Sequence, residues 1–299
     1  MPVFNGERTL PALVERLMAT LASDPGTFEI LLVDDGSRDG SWPLIQRLAG
    51  EHAPVRGIAL SRNHGQHNAL LCGIREASGD VIVTMDDDLQ NRPEDVPMLL
   101  ARLREGGDVV YGVPARPRWS LFRNLSSRVT KLMLQRAMGA ETAQMISGFR
   151  AFRARLRDAF ADYDAMFVNV DVLLTWGGGR FAAVPVTHEP RAAGQSNYTL
   201  AQLFRHTLNL VTGFSLLPLR VATGVGFALA LFGAGVLAYV LGRYVLQGVA
   251  VQGFTFLASI IAIFAGGQLF ALGIMGEYLG RMFQRTNGQP SYSVRDRTS

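Results

Sequence analysis

The stretch GDVIVTMDDDLQ, residues 79–90, decides the fold. Val81, Ile82 and Val83 form a short apolar, β-branched run that reads as a buried strand. The run stops at Asp86, Asp87 and Asp88. Three adjacent carboxylates repel one another, so folding alone gives no reason to place them at a strand end. A divalent cation does: Mg2+ or Mn2+ takes hard oxygen ligands, commonly one or two carboxylates completed by substrate phosphates. Side chains alternate along an extended backbone, so Asp86, Asp88 and Gln90 are expected on one side and Asp87 on the other. In open parallel sheets, ligands bind beyond the carboxyl ends of the strands, where this cluster falls. Taken by itself, such a run also fits a solvated acidic turn.

Outward from this strand, apolar runs alternate with amphipathic segments. Residues 28–33, 55–60 and 108–113 read as further strands, and 181–188 as a late one. Helices are expected over 8–21, 42–48, 66–77 and 93–104, the first with Leu10, Leu13, Val14, Leu17 and Leu21 on one face. This alternation argues for an α/β domain with a mostly parallel sheet. The 28–33 strand runs into Asp34-Asp35-Gly36-Ser37, a second acidic strand end. These side chains shape a turn or, alternatively, Asp35 accepts hydrogen bonds from a nucleotide base or ribose. Two acidic ends in one sheet suggest a nucleotide diphosphate, with the nucleoside at one and the metal–pyrophosphate at the other. Neither a G-x-G-x-x-G loop after a strand nor a G-x-x-x-x-G-K-[ST] loop is present, which argues against a dinucleotide oxidoreductase and a P-loop NTPase.

Composition sets the setting. The chain has 299 residues, 48% of them hydrophobic, a formal charge of +4 and a mean hydropathy of +0.16. Lys131 is the lone lysine among the 29 basic residues, and the 25 acidic residues are interspersed with them, which does not suit a nucleic-acid partner. The single Cys72 excludes an internal disulfide and a cysteine metal cluster. No secretory leader precedes the first domain, so that domain is expected in the cytoplasm. The apolar excess lies after Val221: residues 221–242 and 244–276 hold no charge. Two transmembrane helices are expected, near 221–240 and 254–276, with a buried core hairpin as the alternative. Arg205 and Arg220 precede the pair and Arg281, Arg285, Arg295 and Arg297 follow it, so both termini are expected in the cytoplasm. Residues 199–214 read as an interfacial helix, and 121–138, surrounded by Arg116, Arg118, Arg123, Arg128, Lys131 and Arg136, as an amphipathic helix that is either solvated or faces anionic lipid or phosphate. Small residues in both spans, among them Gly233, Gly235, Gly266, Gly267 and Gly273, lead us to expect a homo-oligomer.

The motifs VDDGSRDGSW, LSRNHGQHNALLCG, GDVIVTMDDDLQNRPEDVP, SGFRAFR, GQSNY, GFSLLPLR and GEYLGR resemble those of the polyisoprenyl-phosphate glycosyltransferases, GT-A enzymes of glycosyltransferase family two. The family includes dolichyl-phosphate mannose synthase, the undecaprenyl-phosphate glucosyltransferases and the formamido-arabinose transferases; RNHGQHNA is most similar to the last branch. The resemblance implies a GT-A, Rossmann-like catalytic domain over 1–198, a juxtamembrane helix over 199–219, a transmembrane hairpin over 220–283 and a cytoplasmic tail over 284–299. It implies inverting transfer of a sugar from a nucleotide diphosphate, UDP first among them, to a polyprenyl phosphate in the inner membrane. It also implies that Pro2, Phe4, Asp35, Arg62, Asp86 and Asp87 bind the nucleotide, that Asp88, Asp86 and Gln90 hold Mg2+ or Mn2+, and that Arg128, Arg150, Arg191 and Ser196 meet the acceptor phosphate. Asp86, Asp88, Arg150 and Arg191 are the catalytic set on this resemblance.

Departures are visible. The family's Tyr-Asn-Glu reads Phe4-Asn5-Gly6 here, so its Glu contact is missing unless Glu7 shifts in, and the Lys after the loop serine is Asn197. The family's first strand precedes Pro2, so the natural protein is expected to start upstream of Met1. Residues 1–4 are then expected to continue a central strand beside the one ending in Asp88. Rival readings are a processive polysaccharide synthase, expected to carry Q-x-x-R-W where Ala115 and Arg118-Trp119 stand, a nucleotidyltransferase, and a non-catalytic membrane scaffold.

Overall fold

Each apolar run marked as a strand becomes one in the computed structural model, which describes residues 1–23, 26–114, 145–165, 167–189, 216–247 and 253–298. The strands are β1 (Pro2–Val3), β2 (Ile30–Asp34), β3 (Val55–Leu60), β4 (Val81–Thr84), β5 (Val109–Pro114), β6 (Arg150–Arg153), β7 (Phe181–Val186) and β8 (Val294–Arg297). The helices are α1 (Leu10–Leu21), α2 (Ser41–Glu51), α3 (Gln66–Glu76), α4 (Val96–Arg104), α5 (Val170–Trp176), α6 (Leu217–Gln247) and α7 (Phe254–Thr286). They fall into two units, Met1–Thr207 with Gly288–Ser299, and Leu208–Asn287.

The first unit carries two four-stranded sheets, ordered β1-β2-β3-β8 and β4-β6-β5-β7. Ladders β1–β2, β2–β3 and β5–β7 are parallel, as the sequence suggests. Ladders β3–β8, β4–β6 and β5–β6 are antiparallel, so the sheets are mixed rather than mostly parallel. The difference has a local cause. RAFR is a strand inserted between β4 and β5, and the 3-10 segment Ala154–Phe160 follows it. All five residues of β2 are buried, as a strand covered on both faces requires. Ile30 and Leu32 pack with Leu10, Leu13, Val14 and Leu17 of α1, while Leu31 and Val33 face Ala69 and Cys72 of α3.

The amino-terminal strand departs from expectation. β1 pairs with β2, Pro2 opposite Val33 and Val3 opposite Asp34, and has no ladder with β4 among the described residues. A cavity of about 770 Å3 lies between β2 and β4, lined among others by Ile30, Leu31, Val81 and Val83. The Met1 amine is at its wall, donating to Leu31 O at 2.7 Å, and burial pulls its pKa down to about 6.

The second unit is a pair of long helices. Leu217–Arg243 and Ser259–Phe283 are long and apolar enough to cross a membrane, and 0% of either window is buried. Phe227 and Leu269 are 67% and 69% exposed, which a soluble core hairpin would not tolerate. Small residues set the helix contact: a side chain at Gly233 would meet Phe264 at 2.7 Å, and one at Gly267 would run into Leu229. Gly235, Gly266 and Gly273 meet nothing within 4 Å. Glu277 pairs with Arg281 at 2.7 Å, an i,i+4 contact along the helix. The expected helices over 121–138 and 199–214 lie outside the described residues.

Candidate active site

β4 delivers the acidic cluster, and β6 lies beside it with Arg150 opposite Thr84. Arg150 is 1% exposed. Its Nε donates to Thr84 Oγ1 at 3.0 Å and its Nη1 to Asp171, which also accepts the Tyr111 hydroxyl at 3.1 Å. Burial opposes the guanidinium charge, but Asp171 and Tyr111 outweigh it and raise the Arg150 pKa. Arg150 is thus part of a buried polar network, turned inward on Asp171 behind the cluster.

Beyond the buried Met85 the backbone leaves the strand, turns at Asp87 and Asp88, and places Leu89 at φ +60°. Alternation on an extended chain therefore stops at Asp86, and the three carboxylates fan apart instead. Asp86 Oδ1 accepts from Gln66 Nε2 at 2.6 Å, and its carboxylate lies against Gly148. Asp87 Oδ2 accepts from the Phe4 amide at 3.3 Å. Asp88 Oδ1 accepts from the Gln90 amide at 3.1 Å. Burial and then Asp88 push the Asp86 carboxyl up, against the pull of Arg150 and Gln66. Burial pushes Asp87 to about 6, with Asp86 and Asp88 adding to the rise and the Phe4 amide opposing it. Crowded carboxylates held above their usual range are what a bound cation relieves. Among the described residues no three His, Cys, Asp or Glu side chains are gathered as a complete ligand set. Two carboxylates suit a hard divalent ion that completes its shell with water and phosphate oxygens, so the residues fit Mg2+ or Mn2+.

The second acidic strand end sits across the β1–β2 ladder. Asp35 accepts from the His64 amide at 2.7 Å and the Gly65 amide at 2.9 Å. Burial carries its pKa to about 6 although both amides pull it down. Asp34 Oδ1 accepts from the Ser37 amide at 3.1 Å, while its buried Oδ2 has no hydrogen-bond partner among the described residues. Gly36 is at φ +68°, and a Cβ there would lie 2.5 Å from the Arg62 carbonyl carbon. Only glycine lets these two loops press together, with the Arg62–Asn63 backbone against Gly36. The 4–7 segment is stitched to the same region: Asn5 N donates to Ser37 Oγ at 2.9 Å and Gly6 N to Ser41 Oγ at 2.9 Å. Glu7 accepts from the Gly40 amide at 3.0 Å at the start of α2. Glu7 is thereby engaged at a helix start and does not move into the place of the family's Glu. Pro2 is buried in β1, while Phe4 keeps a side chain 48% exposed.

The Asp35 carboxyl gives a pH prediction. Its folded pKa of about 6 lies above the ordinary carboxylate value of 3.8. The folded state therefore takes up a proton between these values, and this group makes the ligand-free fold more stable as pH falls through that window. Measured from pH 7 to 5, wild-type Tm should gain relative to Asp35→Asn. Parallel Tm profiles for the two proteins would refute the raised Asp35 pKa.

The structure brings Pro2, Phe4, Asp35, Arg62, Asp86, Asp87, Asp88 and Gln90 to one end of the sheets and sets Arg150 behind them. Arg128, Arg191, Ser196 and Asn197 lie outside the described residues. Glu189, whose amide donates to Gln90 O at 2.8 Å, is the last described residue before 190–215. Sequence reasoning gave no role to Gln66, which sits in a motif it quoted, or to Asp171, a lone carboxylate on a helix with no local signal.

Comparison with known proteins places this site in a family. The sequence profile described as glycosyl transferase family 2 matches residues 1–164. Undecaprenyl-phosphate 4-deoxy-4-formamido-L-arabinose transferase of Yersinia pestis (strain Pestoides F) is 35% identical over 298 residues, 98% of this chain and 91% of that protein. The protein of the same description from Yersinia enterocolitica serotype O:8 is 35% identical over 297 residues, again 98% and 91%. Mannosyl-3-phosphoglycerate synthase from Rubrobacter xylanophilus shares the fold, with a TM-score of 0.50 and 18% identity over 70% of this chain and 69% of that one.

Proposed function

The chain belongs to glycosyl transferase family 2, and from that premise we propose that it moves a sugar from a nucleotide diphosphate, UDP in our reading, to a polyprenyl phosphate such as undecaprenyl phosphate, with inversion. It is a glycosyltransferase with a GT-A-like catalytic domain followed by two span-length helices. One observation carries the reading: relatives named for undecaprenyl phosphate align with 98% of the chain, through the acidic strand end and both long helices.

The geometry supports the following roles. Asp35, oriented by two backbone amides, accepts hydrogen bonds from the nucleoside, and Arg62 is assigned to the nucleotide on family resemblance. The exposed Phe4 ring offers a stacking face, and Pro2 and Asp87 hold the backbone that carries it. Gln66 fixes the Asp86 carboxylate. Asp86, Asp88 and Gln90 would hold Mg2+ or Mn2+, which when bound neutralises charge on the departing pyrophosphate. The acceptor phosphate is already an anion, so no strong general base is needed. Arg150 acts from behind: its charge favours ionised Asp86, and it is a positioning residue rather than a ligand contact. Arg128, Arg191 and Ser196 are assigned to the phosphates on family resemblance.

In this reading 1–198 is the catalytic segment, 199–219 the juxtamembrane helix and 220–283 the hairpin, while residues 288–299 join the catalytic unit, with the helix pair spanning the inner membrane and both termini cytoplasmic. Reporters fused after Ser299 and inserted near Gln252 should lie on opposite sides; the same side for both would refute the hairpin. The unfilled small positions Gly235, Gly266 and Gly273 leave room for a second copy in a homo-oligomer. The test of function is transfer from a panel of labelled UDP- and GDP-sugars to undecaprenyl phosphate in detergent. We expect one donor to give a lipid-linked product that chelator abolishes. Chelator-resistant transfer, or transfer to soluble acceptors alone, would contradict the proposal.

A further inference from the structure

The C-terminal residues pair with the catalytic sheet as an edge strand. β8 lies antiparallel on β3, Ile58 opposite Arg297 and Leu60 opposite Val294, with a register shift between Ala59 and Leu60. The ladder extends past the strand at both ends: Ser61 N donates to Ser293 O at 2.9 Å and Thr298 N to Gly57 O at 3.0 Å. The buried Ser291 gives both its amide and its hydroxyl to Asp164 Oδ1 at 2.8 Å. Tyr292 and Val294 pack on the cluster of Leu31, Val33, Ile58 and Leu60. Covering a sheet edge would explain the backbone ladder. It does not explain the polar side chains at the register shift.

There, Ser293 Oγ hydrogen-bonds Ser61 Oγ, and His64 Nε2 lies 3.4 Å from each of the two hydroxyls. The backbone of the same His64 is one of the two amides that hold Asp35. Asn68 Nδ2 donates to His64 O at 2.6 Å, fixing the peptide from its other side. Two residues further on, Gln66 reaches Asp86. The short 61–66 loop therefore has its hydroxyl and imidazole groups on the tail and its amides on Asp35, with the Asp86 partner next in line.

We propose that Ser293 and His64 are positioning residues for nucleotide binding: through them the tail strand fixes the 61–66 loop, whose amides orient Asp35. The proposal rests on the reading of Asp35 as the nucleoside contact. Ser293 touches no substrate; it acts by limiting where the His64–Gly65 peptide can go. Its removal should therefore change donor binding far more than turnover.

The test uses the full-length enzyme in detergent, with UDP as the binding probe. Ser293→Ala and His64→Ala should each raise hydrogen exchange at the His64 and Gly65 amides by about 2- to 10-fold, the range that loss of one hydrogen bond gives. UDP binding and donor KM should weaken by a similar factor, while kcat at saturating donor stays within about twofold of wild type. Ser293→Thr, which keeps the hydroxyl, should restore both. Unchanged exchange at both amides in the two alanine variants would overturn the proposal, as would a loss confined to kcat. The exchange arm needs no nucleotide, so failure of the wild type to bind UDP would count against the nucleotide reading alone.

Discussion

An Asp88→Asn enzyme is expected to transfer sugar about 10²- to 10³-fold more slowly than wild type, the loss typical of removing one group that stabilises developing charge. An amide is a poor ligand for a hard cation, and pyrophosphate charge is left uncompensated. Asp87→Ala should behave differently. Its carboxylate is turned toward the Phe4 amide, 3.3 Å away, on the nucleoside side. Its loss should raise donor KM through a loosened Phe4 backbone and leave most of kcat. The Asp87 charge is held under strain from burial and from two neighbouring carboxylates, so the Ala variant should fold at least as well as wild type. Initial rates across donor and metal concentrations separate the two variants. Equal loss of kcat in both would show that the cluster acts as one undivided charge and that the fan of carboxylates has no functional meaning.

The second large effect is on stability. Asp171→Ala leaves the Arg150 guanidinium buried without its carboxylate, a change that costs about 3–5 kcal/mol in comparable buried pairs. For a unit of this size that corresponds to a fall in apparent Tm on the order of 10 °C. Removing the charge along with its partner, as in Arg150→Met with Asp171→Leu, should recover much of the loss, because the penalty comes from the stranded charge. The double variant should still transfer poorly, since Asp86 loses the cation behind it. Thermal unfolding of the single and double variants in detergent tests this. A double variant as unstable as Asp171→Ala would mean that the pair's net attraction, not the uncompensated charge, sets the stability.

Most of the first unit was legible because its strands are apolar runs with abrupt polar ends. β2, β3, β4, β5 and β7 form where such runs occur, and the helices between them keep the expected apolar faces. β6 and β8 were not legible. RAFR alternates too briefly to separate strand from helix, and VRDR is a charged edge strand with one apolar residue. Both pairings are long-range, so no local preference encodes them. The mixed character of the sheets follows from these two strands.

The site divides the same way. Asp35 and the Asp86–Asp88 run stood out because clustered charge at a strand end has no folding rationale. Their side-chain directions did not. Alternation fails once Leu89 takes φ +60°, a conformation that no propensity of leucine announces. The inward turn of Arg150 depends on Asp171, which arrives from α5 through tertiary packing. Glu7 stands one position away from the expected Glu and is held at the start of α2 by Gly40.

The central claim is that a sugar passes from a nucleotide diphosphate to a lipid phosphate with the whole diphosphate as leaving group. The direct measurement is the nucleotide released alongside sugar extracted into the organic phase, with the donor that succeeds in the panel and undecaprenyl phosphate as acceptor. The account predicts nucleoside diphosphate and lipid-linked sugar in equal amounts, both lost on chelation and in Asp88→Asn. Release of nucleoside monophosphate instead would mean that sugar phosphate is transferred and a pyrophosphate link is made, and it would contradict the account.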